Sequence, residues 1–408
     1  MNKPLENIRV VELSTFVAAP SCARLLADMG AEVIKIEHPK GDAWRHTALS
    51  YKPGFYNYKH NPVFDIYNSN KKHIAINLKS EEGMEAMHKL LEKTDIFITN
   101  TRPAALERLG LSYEQLKQRY PSLIYAIIIG YGEKGPDASL PAFDTTAFWS
   151  RGGFLRDMAD ATNYMPVHAP AGVGDTFTGY LLLAQIIAAL YRRVRDGKGE
   201  CVKAGLYHNA IFGMGTMNMI AQDPMPNKRP VERAKVGSYY VGYFCCSDGE
   251  WIFFTQGTVQ ESERKILTML GLEKLLEDPR YATPKDRSLH RDELHILCRD
   301  TFMKKPSGYW LDELRKMDFP GVYMAHFSDI CKDEQAWAND YLENVEFADG
   351  VPGVMPTCPL EMESVGQVST RPAPAVGHDT SEVLKFLGYT DVQIGQMNDS
   401  GAVYSEKV

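Results

Sequence analysis

The sequence predicts an α/β protein, with a doubly wound and largely parallel sheet in the first part of the chain and a second, smaller domain after it. Three observations carry this. Apolar strand-like runs alternate with amphipathic helix-like runs from "RVVELS" to "LIYAIIIGYG". The texture then changes at the Pro- and charge-rich segment "DPMPNKRPVERAK", which reads as a linker. Finally, 408 residues exceed what one hydrophobic core usually supports.

Each element follows from local pattern. "RVVELS" reads as a buried strand, and "APSCARLLADMG" as a helix with Pro20 near its start and Gly30 at its end. "AEVIKIE" is the next strand, which completes a βαβ unit. "SEEGMEAMHKLLEKT" is an amphipathic helix with Ser80 as N-cap, and "DIFITN" the strand after it. "SYEQLKQRY" opens with a Ser112/Gln115 capping box and leads into "LIYAIIIGYG", apolar on both faces as a parallel central strand requires. Past the linker, "SYYVGYFCCSDGEWIFF" reads as a hairpin around Ser247-Asp248-Gly249. "ESERKILTMLG", "LHRDELHILCRDTFMKK", "DEQAWANDYL" and "TSEVLKFLGYTDVQIGQM" carry helical patterns, the last two placed to return to the first domain.

Composition narrows the function. A net charge of −7 with scattered basic residues gives no footprint for nucleic acid. The N-terminus runs straight into a strand pattern without a charged segment and apolar core, so a cytoplasmic location is expected. Seven cysteines at scattered positions give neither a disulfide framework nor a zinc site, so no metal is expected. The apolar run Tyr180–Tyr191 is too short to span a bilayer, so no membrane partner is expected and the run should form a buried helix. No GxSxG elbow, HExxH or P-loop is present, and the glycines of "GVGDTFTG" are misplaced for a dinucleotide fingerprint. A nicotinamide dehydrogenase is therefore unsupported.

Asp175, in "HAPAGVGDTFTGYLLLAQIIAALYRR", is the candidate for chemistry. Read locally it is a helix N-cap, bonding the N–H of Phe177 or Thr178. A carboxylate there also sits in the positive potential of a helix start, which suits a nucleophile, and the neighbouring glycines leave room for a substrate. The two readings are compatible.

Several segments in order resemble the class III CoA-transferases, the formyl-CoA transferase and carnitine CoA-transferase type. They are "VVELSTFVAAPSCARLLADMGAEVIKIEHPKGD", "NSNKKHIAINLKSEEG", "NTRPAALERLGLSYEQL", "IIGYGEKGP", "GVGDTFTG", "DGKGECVKAGL", "SDGEWIFF" and "KDEQAWANDYL". The resemblance implies a Rossmann-like large domain built from both chain ends, a smaller α+β middle domain, and an interlocked homodimer. It divides the chain into a CoA-binding domain at 1–200, a linker helix and loop at 201–230, a small domain at 231–325 and a return at 326–408.

The resemblance also implies that Asp175 is the nucleophile, forming an aspartyl acyl anhydride and then an aspartyl-CoA thioester. The CoA thioester is then the substrate, with no tightly bound cofactor. By motif match the CoA contacts would be Val17, Ala18, Lys71, Lys72, Asn100, Arg102, Arg108 and Tyr131. A large apolar region, Phe143, Phe148, Trp149 and Phe177, is the expected acyl pocket. His38 and Pro39 stand where some members carry a basic residue, and "AKVGSYYVGY" lacks the glycine run of the formyl-CoA transferases, which disfavours oxalate and formate.

Related 2-methylacyl-CoA racemases need a histidine where Phe143 stands in "AFDTTAF", and phenylalanine moves no proton. That reading and a non-catalytic CoA-binding relative are the alternatives. Within the family the chain is similar to enzymes of amino-acid-fermenting anaerobes that pass CoA to phenyllactate or 2-hydroxyisocaproate. A branched or aromatic (R)-2-hydroxy acid acceptor, a 2-enoyl-CoA donor and a 2-hydroxyacyl-CoA dehydratase as pathway partner are thus implied.

Overall fold

The computed structural model describes residues 3–163, 165–222, 232, 238–255 and 259–405. Two compact units emerge: the larger holds Met1–Arg156, Val167–Asn227 and Glu334–Val408, the smaller Asp157–Pro166 and Lys228–Asp333.

Strand alternation organises the larger unit. In β1 (Arg9–Leu13), Val10 and Val11 enter separate hydrophobic clusters on opposite faces of one sheet. The same holds for Val33 and Ile34 in β2 (Glu32–Glu37) and for Ile96 and Phe97 in β4 (Ile96–Thr99). With β3 (Lys72–Ile76), β5 (Ile124–Ile129) and β6 (Cys201–Gly205), the sheet runs Val403–Tyr404, β3, β2, β1, β4, β5, β6. All pairs are parallel except that of the C-terminal strand Val403–Tyr404, which closes the edge antiparallel to β3.

Helices cover both faces. On one lie α1 (Ala18–Asp28) and the 24-residue helix Val173–Asp196, which meet closely at Gly179. A Cβ there would press into the Ala18 carbonyl oxygen at 2.7 Å and into the Ser21 hydroxyl. The other face is covered by α4 (Glu81–Leu91), α5 (Pro103–Leu109) and α6 (Tyr113–Arg119), joined by Thr380–Phe386 and Asp391–Asp399 from the chain's end. Ser80 caps α4 by accepting from Gly83 N–H at 3.1 Å, and the Ser112/Gln115 box opens α6. Two further helices, α2 (Ala43–Leu49) and α3 (Pro62–Asn68), lie between β2 and β3.

The structure corrects the expected layout in three places. Residues 201–205 were expected to begin a linker but form β6, with both sides of the backbone usable in the ladder beside β5. The rest of that linker, from Asp223 on, falls almost wholly outside the described residues. The return to the larger unit starts at Glu334 rather than at residue 326. The long helix is one-sided rather than buried: Leu182, Leu183, Ile186 and Ala189 are covered, while Phe177, Tyr180, Leu181, Tyr191 and Val194 are exposed. By length and composition it is the one helix among the described residues able to cross a bilayer.

In the smaller unit, Gly242–Cys245, Trp251–Phe254 and Gly321–Tyr323 form an antiparallel sheet. Its hairpin turns at Ser247–Gly249, where Cys246 N–H donates to Glu250 C=O at 2.8 Å. Phe244, Phe254 and Phe302 stack in its core under Trp310.

Candidate active site

Crossovers leave β1 in opposite directions, toward β2 on one side and β4 on the other. At such a switch point the loops diverge and leave a crevice beyond the strands' carboxyl ends. A cavity of about 800 Å³ occupies it. The loop after β1 contributes Thr15, Phe16 and Ala18; β4 and α5 contribute Asn100, Arg102 and Arg108; β5 and the segment after it contribute Ile128, Gly130, Glu133, Leu140 and Phe143. The long helix contributes Asp175.

Asp175 is not the cap of its helix, contrary to the local reading of the sequence. Gly172 takes that place with φ 74°, a left-handed conformation that glycine adopts without strain, and Asp175 sits in the first turn. The capping carboxylate comes from elsewhere: Asp144, in the π-helical turn Asp144–Ser150, accepts from Gly172 N–H at 3.1 Å and from Trp149 Nε1–H at 3.2 Å. Burial and the charge of Asp144 push the Asp175 carboxyl up to about 7. Burial raises Asp144 as well, against the hydrogen bonds from Trp149 and Gly172. Two carboxylates thus share one helix start, one tied to backbone N–H groups and one half-buried at the cavity.

Opposite them, Arg102 and Arg108 are exposed, and no described residue pairs with either guanidinium. Two uncompensated cations on one wall suit phosphate groups. No side chain caps the start of α1, which leaves the N–H groups of its first turn facing the same crevice at Ala18.

The other residues named from sequence are distributed as follows. Asn100 clamps the β1 loop, accepting from Thr15 N–H at 3.0 Å and donating to Thr15 C=O at 2.7 Å. Val17 is buried against Trp44 and Phe64, behind Ala18. Tyr131 lies beside the Arg151 guanidinium and the Tyr207 ring. Lys71 and Lys72 do not line the cavity. Lys71 is fully buried, its Nζ 2.7 Å from Glu12 and 2.9 Å from the Pro20 carbonyl oxygen, while Lys72 bridges Glu32 and Glu382. Among the four expected pocket aromatics, Phe143 lines the cavity. Phe148 packs under Gly174, Trp149 holds Asp144, and Phe177 stands exposed beside Tyr180.

Buried charge shapes this end of the sheet. Lys35 Nζ lies 3.0 Å from Glu12, from Asp42 and from the Ser14 carbonyl oxygen. Burial works against Glu12's charge, yet Lys35 and Lys71 hold its carboxyl down to about 2. Burial lowers Lys71 to about 8 against the pull of Glu12. The cluster thereby ties β1 to the loop that enters the cavity.

Sequence reasoning missed Phe16 and Asp144. Asp144 had a visible signal, an aspartate kept in "AFDTTAF" beside the position where related enzymes carry a histidine. Phe16 had none, because its role rests on backbone conformation.

Comparison with known proteins agrees with this geometry. The profile of CoA-transferase family III matches residues 5–380. The chain is 40% identical to the (R)-2-hydroxy-4-methylpentanoate CoA-transferase of Clostridioides difficile, over 98% of this chain and 99% of that one. It is 36% identical to the cinnamoyl-CoA:phenyllactate CoA-transferase of Clostridium sporogenes, over 96% and 95%. Among solved structures it resembles a CAIB/BAIF family protein from Brucella suis, with a TM-score of 0.79, 26% identity and coverage of 95% and 100%. With its parallel sheet and a match along nearly its whole length, the chain belongs to CoA-transferase family III.

Proposed function

We propose that the enzyme moves CoA from a 2-enoyl-CoA to a branched or aromatic (R)-2-hydroxy acid through covalent intermediates on Asp175. The observation that carries this reading is the single cavity holding Asp175, two unpaired arginines and the Phe16 and Phe143 rings. The two relatives named for 2-hydroxy-4-methylpentanoate and phenyllactate support the acid class.

In this mechanism Arg102 and Arg108 bind CoA phosphates, and the thioester reaches Asp175. The carboxylate attacks the thioester carbonyl, the C–S bond breaks, and CoA leaves as thiolate while an aspartyl acyl anhydride forms. The thiolate attacks the aspartyl carbonyl, which releases the donor acid as carboxylate and leaves CoA as a thioester on Asp175. The acceptor carboxylate then attacks that thioester to give a second anhydride and free thiolate. Attack of the thiolate on the acceptor's carbonyl yields the new acyl-CoA and restores Asp175. A desolvated carboxylate with its pKa near 7 is nucleophilic yet partly ionised at neutral pH. Phe143 offers no proton relay, which leaves racemisation without its base. The exposed apolar face of the long helix and the family resemblance support a homodimer, and the product acyl-CoA is suited to a 2-hydroxyacyl-CoA dehydratase.

The direct assay incubates the enzyme with cinnamoyl-CoA and (R)-2-hydroxy-4-methylpentanoate and separates CoA esters by chromatography. A 2-hydroxyacyl-CoA formed in step with free cinnamate is expected; hydrolysis alone, or no turnover, contradicts the reading. Arg102→Ala and Arg108→Ala should each raise the KM for the CoA donor by about 10-fold or more, since a hydrogen bond to a charged group contributes about 1.5–3 kcal/mol. Asp144→Asn should shift the pH profile. Asp175 must be ionised to attack, so activity of the parent rises with pH through about 7, and removing the Asp144 charge moves that limb to lower pH. An unmoved limb would show that Asp144 does not couple to the nucleophile.

A further inference from the structure

The loop after β1 holds a bulky side chain in an uncommon backbone state. Phe16 has φ 63°, a left-handed conformation that costs a non-glycine residue about 1–3 kcal/mol and persists only where its surroundings impose it. Here they do. Asn100 grips both backbone groups of Thr15, Lys35 Nζ bonds the Ser14 carbonyl oxygen, and Val17 is buried beyond.

This conformation places the Phe16 ring edge-on against Phe143, with centroids 5.3 Å apart and planes at 77°, and Trp44 packs against it at 5.7 Å. Both phenylalanines line the cavity of Asp175, and both are coupled to that residue's helix. Val17, next to Phe16, lies against Gly172: a Cβ added there would meet it at 3.3 Å. Asp144, next to Phe143, accepts the Gly172 N–H. The cationic wall comes from β4 and α5 instead, so the cavity has a charged side and an aromatic side, the latter joined to the nucleophile's helix.

Resting on the CoA-transfer reading above, we propose that Phe16 is a specificity-determining residue: its ring, paired edge-on with Phe143, forms the apolar wall against which the side chain of the acid at Asp175 packs. An isobutyl or benzyl group buries apolar area there at about 25 cal/mol per Å², whereas the methyl of lactate buries little. The wall therefore selects 2-hydroxy acids with large apolar side chains. The strained backbone is retained because it aims the ring.

The test compares kcat/KM for (R)-2-hydroxy-4-methylpentanoate, (R)-phenyllactate and (R)-lactate at one fixed donor, cinnamoyl-CoA. Phe16→Gly is the informative variant, because glycine adopts φ 63° freely and its melting temperature should not fall. The preference for the two large acids over lactate should drop by at least about 10-fold. Phe143→Ala, at a half-exposed position, should change the preference in the same direction. An equal loss across all three acids, or an unchanged preference in Phe16→Gly, overturns the assignment. A parent enzyme that transfers CoA to none of the acids overturns the functional reading itself, which is a separate failure from a parent that transfers normally while the variant keeps its preference.

Discussion

Replacing Asp175 with asparagine is expected to stop CoA transfer, by at least about 10⁴-fold, while leaving the fold as stable as the parent's or more so. No described residue donates a hydrogen bond to the Asp175 carboxylate, and Asp144 caps the helix in its place. What Asp175 contributes to stability is a first-turn dipole interaction of about 0.3–1 kcal/mol. Burial and the Asp144 charge oppose it. The sign follows from linkage: a carboxyl whose pKa is about 7 when folded and near its ordinary 3.8 when unfolded binds its proton more tightly in the folded state. Its contribution is therefore most favourable at low pH and is lost as pH rises through 7. Melting curves at pH 5 and pH 8 should show the asparagine variant gaining on the parent at the higher pH. A variant that melts earlier at both would return Asp175 to a structural role.

Glu12→Gln is expected to destabilise the larger unit by about 3–5 kcal/mol, the cost of breaking a buried ion pair from one side. Glu12, Lys35 and Lys71 are all fully buried, so the change leaves Lys71 with the Pro20 carbonyl oxygen alone and Lys35 with Asp42 and the Ser14 carbonyl oxygen. Burial already lowers Lys71 to about 8, and without Glu12 it would lose its proton more readily, which limits the loss. Urea unfolding measures the change. A loss below about 1 kcal/mol would mean that solvent reaches the cluster. The same geometry separates Lys71 from the CoA contacts: its substitution should lower stability before it alters the KM for an acyl-CoA.

Sheet and site were legible to different degrees. Strand runs apolar on both faces, punctuated by capped helices, announce a parallel sheet, and β1 to β5 lie where the alternation puts them. The antiparallel strand Val403–Tyr404 is two residues long, too short to show a period. Asp175, Arg102 and Arg108 were readable because each belongs to a motif whose residue types suit the chemistry. Asp144 reaches its cap across 28 residues of chain, and no local pattern reports such a contact. Lysine spacing in "NSNKK" does not tell which of two neighbours turns inward, and strand alternation sends Lys71 and Lys72 to opposite fates. Aromatic runs are equally ambiguous: Phe143 and Phe148 are five residues apart, one in the cavity and one beneath the helix.

Intact-protein mass measurement after incubation with cinnamoyl-CoA, with hydroxylamine or borohydride trapping and peptide mapping, tests the central claim most directly. A CoA thioester, or its trapped product, on Asp175 of the parent and absent from Asp175→Asn is the result expected. Transfer of CoA that proceeds with Asp175 unmodified, or that persists in the asparagine variant, would contradict it.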